Sequence, residues 1–123
     1  MKALIVAAAL LPSLGASAAG LPCTIHPNKG MADADLATLA KVSRAAAEST
    51  ALKAVHIRSA SVTSGELEAE GGCLIYSFDI RIPGKKSIVE VAVDAGSGKV
   101  LAKKHEGPKA QAAEKAADAA ATK

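Results

Sequence analysis

Aromatic side chains are almost absent from this chain: 123 residues hold no Trp, one Tyr and one Phe. Any core must therefore be assembled from Val, Ile, Leu and Ala, and there is no stacking surface for nucleic-acid bases. The net charge of +3 includes Lys2, and the other Lys and Arg residues are scattered rather than striped. Such a charge aids solubility and does not point to nucleic acid. No apolar run approaches the roughly 20 residues that a membrane span needs. Neither Gly-x-Ser-x-Gly nor His-Glu-x-x-His occurs, and the three histidines, His26, His56 and His105, fall in separate parts of the chain. No carboxylate pair suggests acid–base work. These absences argue against an enzyme, and no cofactor is expected. Gly96 and Gly98 lack the lysine spacing of a phosphate loop, so they read as turn glycines with positive φ.

The N-terminus carries what the rest lacks. Met1-Lys2 is a short positive region, residues 3–14 are nearly all apolar, and Ala16-Ser17-Ala18 fits the small-x-small rule for leader cleavage. Residues 1–18 are expected to be a secretion signal, which makes the mature protein periplasmic or secreted. Pro22 stands where a lipoprotein would need a small residue before Cys23, which argues against acylation.

Only two cysteines occur, Cys23 and Cys73. In an exported chain this small, an even count favours a disulfide that staples a modest core. The competing reading is a metal or redox site, because Cys23-x-x-His26 has ligand spacing and Cys73 would supply a third donor. The disulfide would consume both sulfurs.

The remaining pattern is that of one domain. Residues 19–32, with Pro22, Pro27 and Gly30, form an irregular lead-in. One helix is expected from Asp33 or Asp35 to about Leu52, burying Leu36, Leu39, Ala40, Ser43 and Ala47. Residues 55–69 suggest extended chain from His56 onward, with a bulge or bend at Ser64-Gly65. After Gly71-Gly72 the alternation is regular. Leu74, Tyr76, Phe78, Ile80 and Ile82 share one face, while Cys73, Ser77, Asp79 and Arg81 share the other. Pro83-Gly84 turns into Val89, Val91 and Val93, which alternate with Glu90, Ala92 and Asp94. The Asp94, Gly96, Gly98 turn then leads to a last strand at 99–105. Turns this close imply antiparallel neighbours. The expected fold is α+β: one amphipathic helix on an antiparallel sheet of three to four strands, spanning residues 33–105. Residues 106–123 are rich in Ala and Lys, bury little, and are expected to be a flexible tail.

Helix, then meander, with Tyr76 in the middle strand and Asp94, Gly98, Lys99 and Val100 at the last turn, resembles the PepSY family. The resemblance covers residues 33–104. Where relatives often carry Pro-Gly between helix and first strand, this chain has Leu52-Lys53-Ala54. The resemblance implies a non-catalytic binding module that modulates or inhibits a peptidase or another envelope protein. A single helix covers one sheet face only, so Ser77, Asp79, Arg81 and Glu90 on the other face are the expected partner contacts. The same face would also serve a homodimer. Tyr76 reads as a core residue with its hydroxyl at the rim, and Asp94 as an acceptor for backbone N–H groups in its turn.

Overall fold

A computed structural model describes residues 22–109, 111–112 and 115–116 of the chain. The expected leader lies outside the described residues. Two helices, α1 (Asp33–Leu39) and α2 (Arg44–Val55), pack on a four-stranded antiparallel sheet of β1 (Ser61–Glu70), β2 (Cys73–Arg81), β3 (Ile88–Asp94) and β4 (Val100–Glu106). The strands lie in chain order, β1-β2-β3-β4, as an uncrossed meander. The α+β class expected from the sequence is therefore the class observed.

The single continuous helix is instead two, and the break has a tertiary cause. The Lys41 and Val42 amides both donate to the Ala95 carbonyl, at 2.9 and 3.0 Å, rather than to the preceding turn. The Tyr76 hydroxyl donates to the Val42 carbonyl at 2.7 Å. Ser43, expected in the buried stripe, instead caps α2 by accepting the Ala46 amide. Only alanines, Ala47 and Ala51, are fully buried from α2, which lets the helix lie close to the sheet. His56 does not begin a strand; it ends α2 in the left-handed conformation at φ 58, and its amide donates to the Lys53 carbonyl.

Extended chain begins only at Ser61. From there β1 runs unbroken for ten residues, with its bulge between Val62 and Ser64. Gly71 and Gly72 both have positive φ and close the tight turn that pairs Glu70 with Cys73. Across β2 and β3 the register sets Ile80 against Val89, Phe78 against Val91, and Tyr76 against Val93. All six side chains face the helices and form the main core with Leu36, Leu74 and the two buried alanines. Tyr76 and Phe78 stack with centroids 6.1 Å apart.

The opposite face is divided. At one end Cys73, Ile75 and Ala92 form a second small cluster, covered by Cys23 of the lead-in and by Leu101. At the other end the cross-strand rows are polar, with Asp79 opposite Glu90 and Glu66 opposite Ser77.

Candidate functional site

The lead-in is not loose. Cys23 and Cys73 form a disulfide with Cα atoms 5.8 Å apart, closing a separation of 50 residues. The Leu74 amide donates to the Ile25 carbonyl at 3.0 Å, so the lead-in continues alongside the start of β2. Thr24 donates twice to Asp94: its amide to Oδ1 at 3.1 Å, and its hydroxyl to Oδ2 at 2.7 Å. The Ser97 amide gives Asp94 Oδ2 a third bond at 2.8 Å. Burial pushes the Asp94 carboxyl up, but the hydrogen bonds from Ser97 and Thr24 outweigh it and hold the pKa at about 2.

Asp94 thus joins the turn to the lead-in as well as capping its own backbone. The two glycines of this turn differ. Gly98 has the expected positive φ of 76, whereas Gly96 does not. Gly96 is required for closeness instead, because a Cβ there would collide with the Thr24 hydroxyl and press on Ile25 at 3.1 Å. Positive φ was the wrong reason for that residue.

The uncovered end of the sheet holds a groove of about 490 Å³. Ser77, Asp79 and Arg81 of β2 line it, with Ser64 and Glu66 of β1. Glu90 shares the row with Asp79 but stands outside the groove lining. Ser64 donates to Asp79 Oδ2 at 3.0 Å, and Thr63 donates to the Asp79 carbonyl, so β1 fixes this carboxylate in place. Part of the tail closes the groove's end. The Gln111 side-chain amide donates to the carbonyls of Glu106 and Lys86, at 3.0 and 3.2 Å, and Lys115 also lines the groove. The described part of the tail is helical and touches the fold.

At the other end of the same face, His26 Nδ1 lies 3.7 Å from Cys23 Sγ and 3.0 Å from the Gly72 carbonyl oxygen. One ligand atom from each of Cys23, His26 and Cys73 falls within 4.8 Å of the others. His56 and His105 are not part of this cluster.

Thr24, Ile75 and Gln111 were not anticipated from the sequence. A signal for Thr24 exists: Ile75 opposes Asp94, so pairing Cys23 with Cys73 carries the neighbouring Thr24 towards that carboxylate. Gln111 has no comparable sequence signal.

Fold and site define a small, disulfide-stapled sheet-and-helix module with one end of one face open and polar. The family model described as peptidase propeptide and YPEB domain, PepSY, matches residues 41–104, just over half of the chain, and the chain belongs to that family. No curated protein and no solved structure matches it. The matched span begins at Lys41, so the lead-in with Cys23 and Thr24, and α1 as well, lie outside it.

Proposed function

We propose that this chain is an exported, non-catalytic binding module that docks a partner protein on the open end of its sheet and thereby modulates it. A peptidase is the first candidate, because the family takes its description from peptidase propeptides. The groove beside Ser77, Asp79 and Arg81 is the observation that carries this reading. It offers charges of both signs and hydroxyl groups on a rigid strand, beside the edge of β1, where an extended segment could add main-chain hydrogen bonds. The scaffold behind it is held by the disulfide and the Asp94 bonds, which suits a module that restrains another protein. Export is supported by the leader pattern and by the disulfide, which persists in oxidising compartments. Among the described residues no helix is long and apolar enough to cross a membrane.

The test uses the mature chain and its Arg81→Glu variant, each as bait in an envelope extract. Arg81 is exposed, so the charge reversal should leave stability within about 0.5 kcal/mol. The expected result is a peptidase retained by the native bait, released by the variant, and slowed in its assay only by the native chain. Equal retention by both baits, or an unchanged peptidase rate, removes the reading. Concentration-dependent self-association abolished by Arg81→Glu would replace the peptidase with a second copy of this chain.

A further inference from the structure

We propose that the dithiol form of Cys23 and Cys73, together with His26, is a binding site for one thiophilic d¹⁰ cation, and that the disulfide is its closed state. Tetrahedral zinc with metal–ligand lengths of about 2.3 Å to sulfur and about 2.05 Å to nitrogen sets a sulfur-to-nitrogen edge of about 3.6 Å. Cys23 Sγ and His26 Nδ1 already stand 3.7 Å apart. When the disulfide opens, its two sulfurs must move apart to van der Waals contact. That contact is close to the sulfur–sulfur edge of about 3.8 Å given by the same bond lengths. No large backbone movement is required.

The backbone is also held in place without the disulfide. Thr24, next to Cys23, keeps its two hydrogen bonds to Asp94, and Ile25 keeps the Leu74 amide. Cys73 is 1% exposed at the start of β2, so one sulfur comes from a rigid strand. His26 is exposed and now places Nδ1 against the Gly72 carbonyl. Ligation would take the tautomer with the proton on Nε2, freeing Nδ1 for the metal. Two thiolates and one imidazole leave a fourth position open to water.

The chemistry balances with a dithiol reductant as co-reactant. Its two thiols exchange with the Cys23–Cys73 bond, two electrons pass to the pair, and the reductant leaves as its own disulfide. The released thiols then lose two protons on binding a divalent cation. Capture of the ion is therefore confined to the reduced state.

The test takes the full mature chain, oxidised or reduced under anaerobic conditions, and titrates Zn²⁺ against a chromophoric chelator, with Co²⁺ as a spectroscopic probe. The oxidised chain should bind none. The reduced chain should bind one equivalent and show the bands of tetrahedral, thiolate-ligated Co²⁺. His26→Ala should weaken Zn²⁺ at least about tenfold, since even outer-shell partners of a metal ligand cost that much. Thermal melts keep the proposal decidable should reduction loosen the fold: Zn²⁺ must then raise the midpoint of the reduced chain and not of reduced His26→Ala. No uptake by the reduced chain, equal uptake by the oxidised chain, or indifference to His26→Ala overturns the site. None of these outcomes bears on the groove at Arg81, which lies at the other end of the sheet.

Discussion

Phe78 and Ser77 are adjacent on β2 and face opposite ways. Phe78 points towards the helices, is fully buried, stacks with Tyr76 and pairs across to Val91. Ser77 points into the open groove beside Asp79 and Arg81. The same strand therefore serves stability on one face and leaves the other for recognition, and the period of two keeps these roles separate. The open face is itself divided, since Ile75 is as buried as Phe78 although it lies on Ser77's side. What covers Ile75 is the stapled lead-in rather than a helix.

The largest expected effect breaks the contrast at its centre. Phe78→Ala should cost about 3–5 kcal/mol, the usual penalty for emptying an aromatic core site, whereas Ser77→Ala should stay within about 0.5 kcal/mol. Urea unfolding of both variants checks this, and comparable losses would mean that the two faces are not energetically distinct. Next comes the staple. Replacing Cys23 and Cys73 with Ser frees a loop spanning 50 residues, which the chain-entropy model values at about 4 kcal/mol and practice at about 2–4. Denaturant midpoints of the double variant, together with faster amide exchange at Ile75 than at Phe78, would show that the lead-in protects its own end of the sheet.

Gly96→Ala should cost about 1–3 kcal/mol, because the added methyl must displace Thr24 or Ile25. Gly98→Ala would be penalised for a different reason, the positive φ at that residue. Pairing Gly96→Ala with Thr24→Ala separates the two mechanisms, since relief of the collision should recover part of the first loss and none of the second.

Asp94 gives the contrast a pH dependence. Its folded pKa of about 2 lies below the ordinary 3.8, so the unfolded chain takes up the proton first as pH falls. The stability that this carboxylate contributes is complete above about pH 5 and is lost as pH drops through 3.8 towards 2. The shift from 3.8 to about 2 already includes the opposing cost of burial, and corresponds to a contribution on the order of 2 kcal/mol. Thr24→Val removes the hydroxyl donor and should raise the Asp94 pKa, shrinking that acid-induced loss. Side-chain carboxyl NMR titration reads the shift directly, and an unchanged pKa would leave Ser97 and the Thr24 amide as its determinants.

Much of this arrangement was legible in the sequence, and what was not has a physical cause. From Cys73 to Glu106 the two-residue period and the Gly and Asp turns fix strands and faces locally, and the observed register follows them except for a shift between Ala92 and Val93 where β3 pairs with β4. The helix break at residues 40–43 was hidden because it depends on the Ala95 carbonyl, more than fifty residues away. The alanines give helical signal on both sides of the break, so composition alone could not mark it. For β1, three glutamates and Gly65 dilute the apolar alternation, and the strand exists through its pairing with β2. Of the groove, Asp79 and Arg81 could be placed from parity, whereas Gln111 reaches it, and Thr24 reaches Asp94 at the other end, through long-range contacts.

The smallest effect concerns the tail, and it decides where the open face ends. Gln111 donates to Glu106 and Lys86, and Lys115 lines the groove beside Asp79 and Arg81. Hydrogen bonds of this kind contribute about 0.5–1.5 kcal/mol each at most, and those near solvent fall at the low end. Truncation after Gly107 should therefore lower the midpoint by only a few degrees, given about 4–8 °C per kcal/mol for a domain of this size. Amide exchange on β1 around Ser64 and Glu66 should speed up in the truncated chain while that of Phe78 and Val91 stays slow. A fall of more than about 10 °C would place the tail within the fold as a cover over the polar rows, comparable to the lead-in over Ile75. In that event both ends of this face would be covered, one by the lead-in and one by the tail, and a partner at Arg81 would first have to displace Gln111 and Lys115.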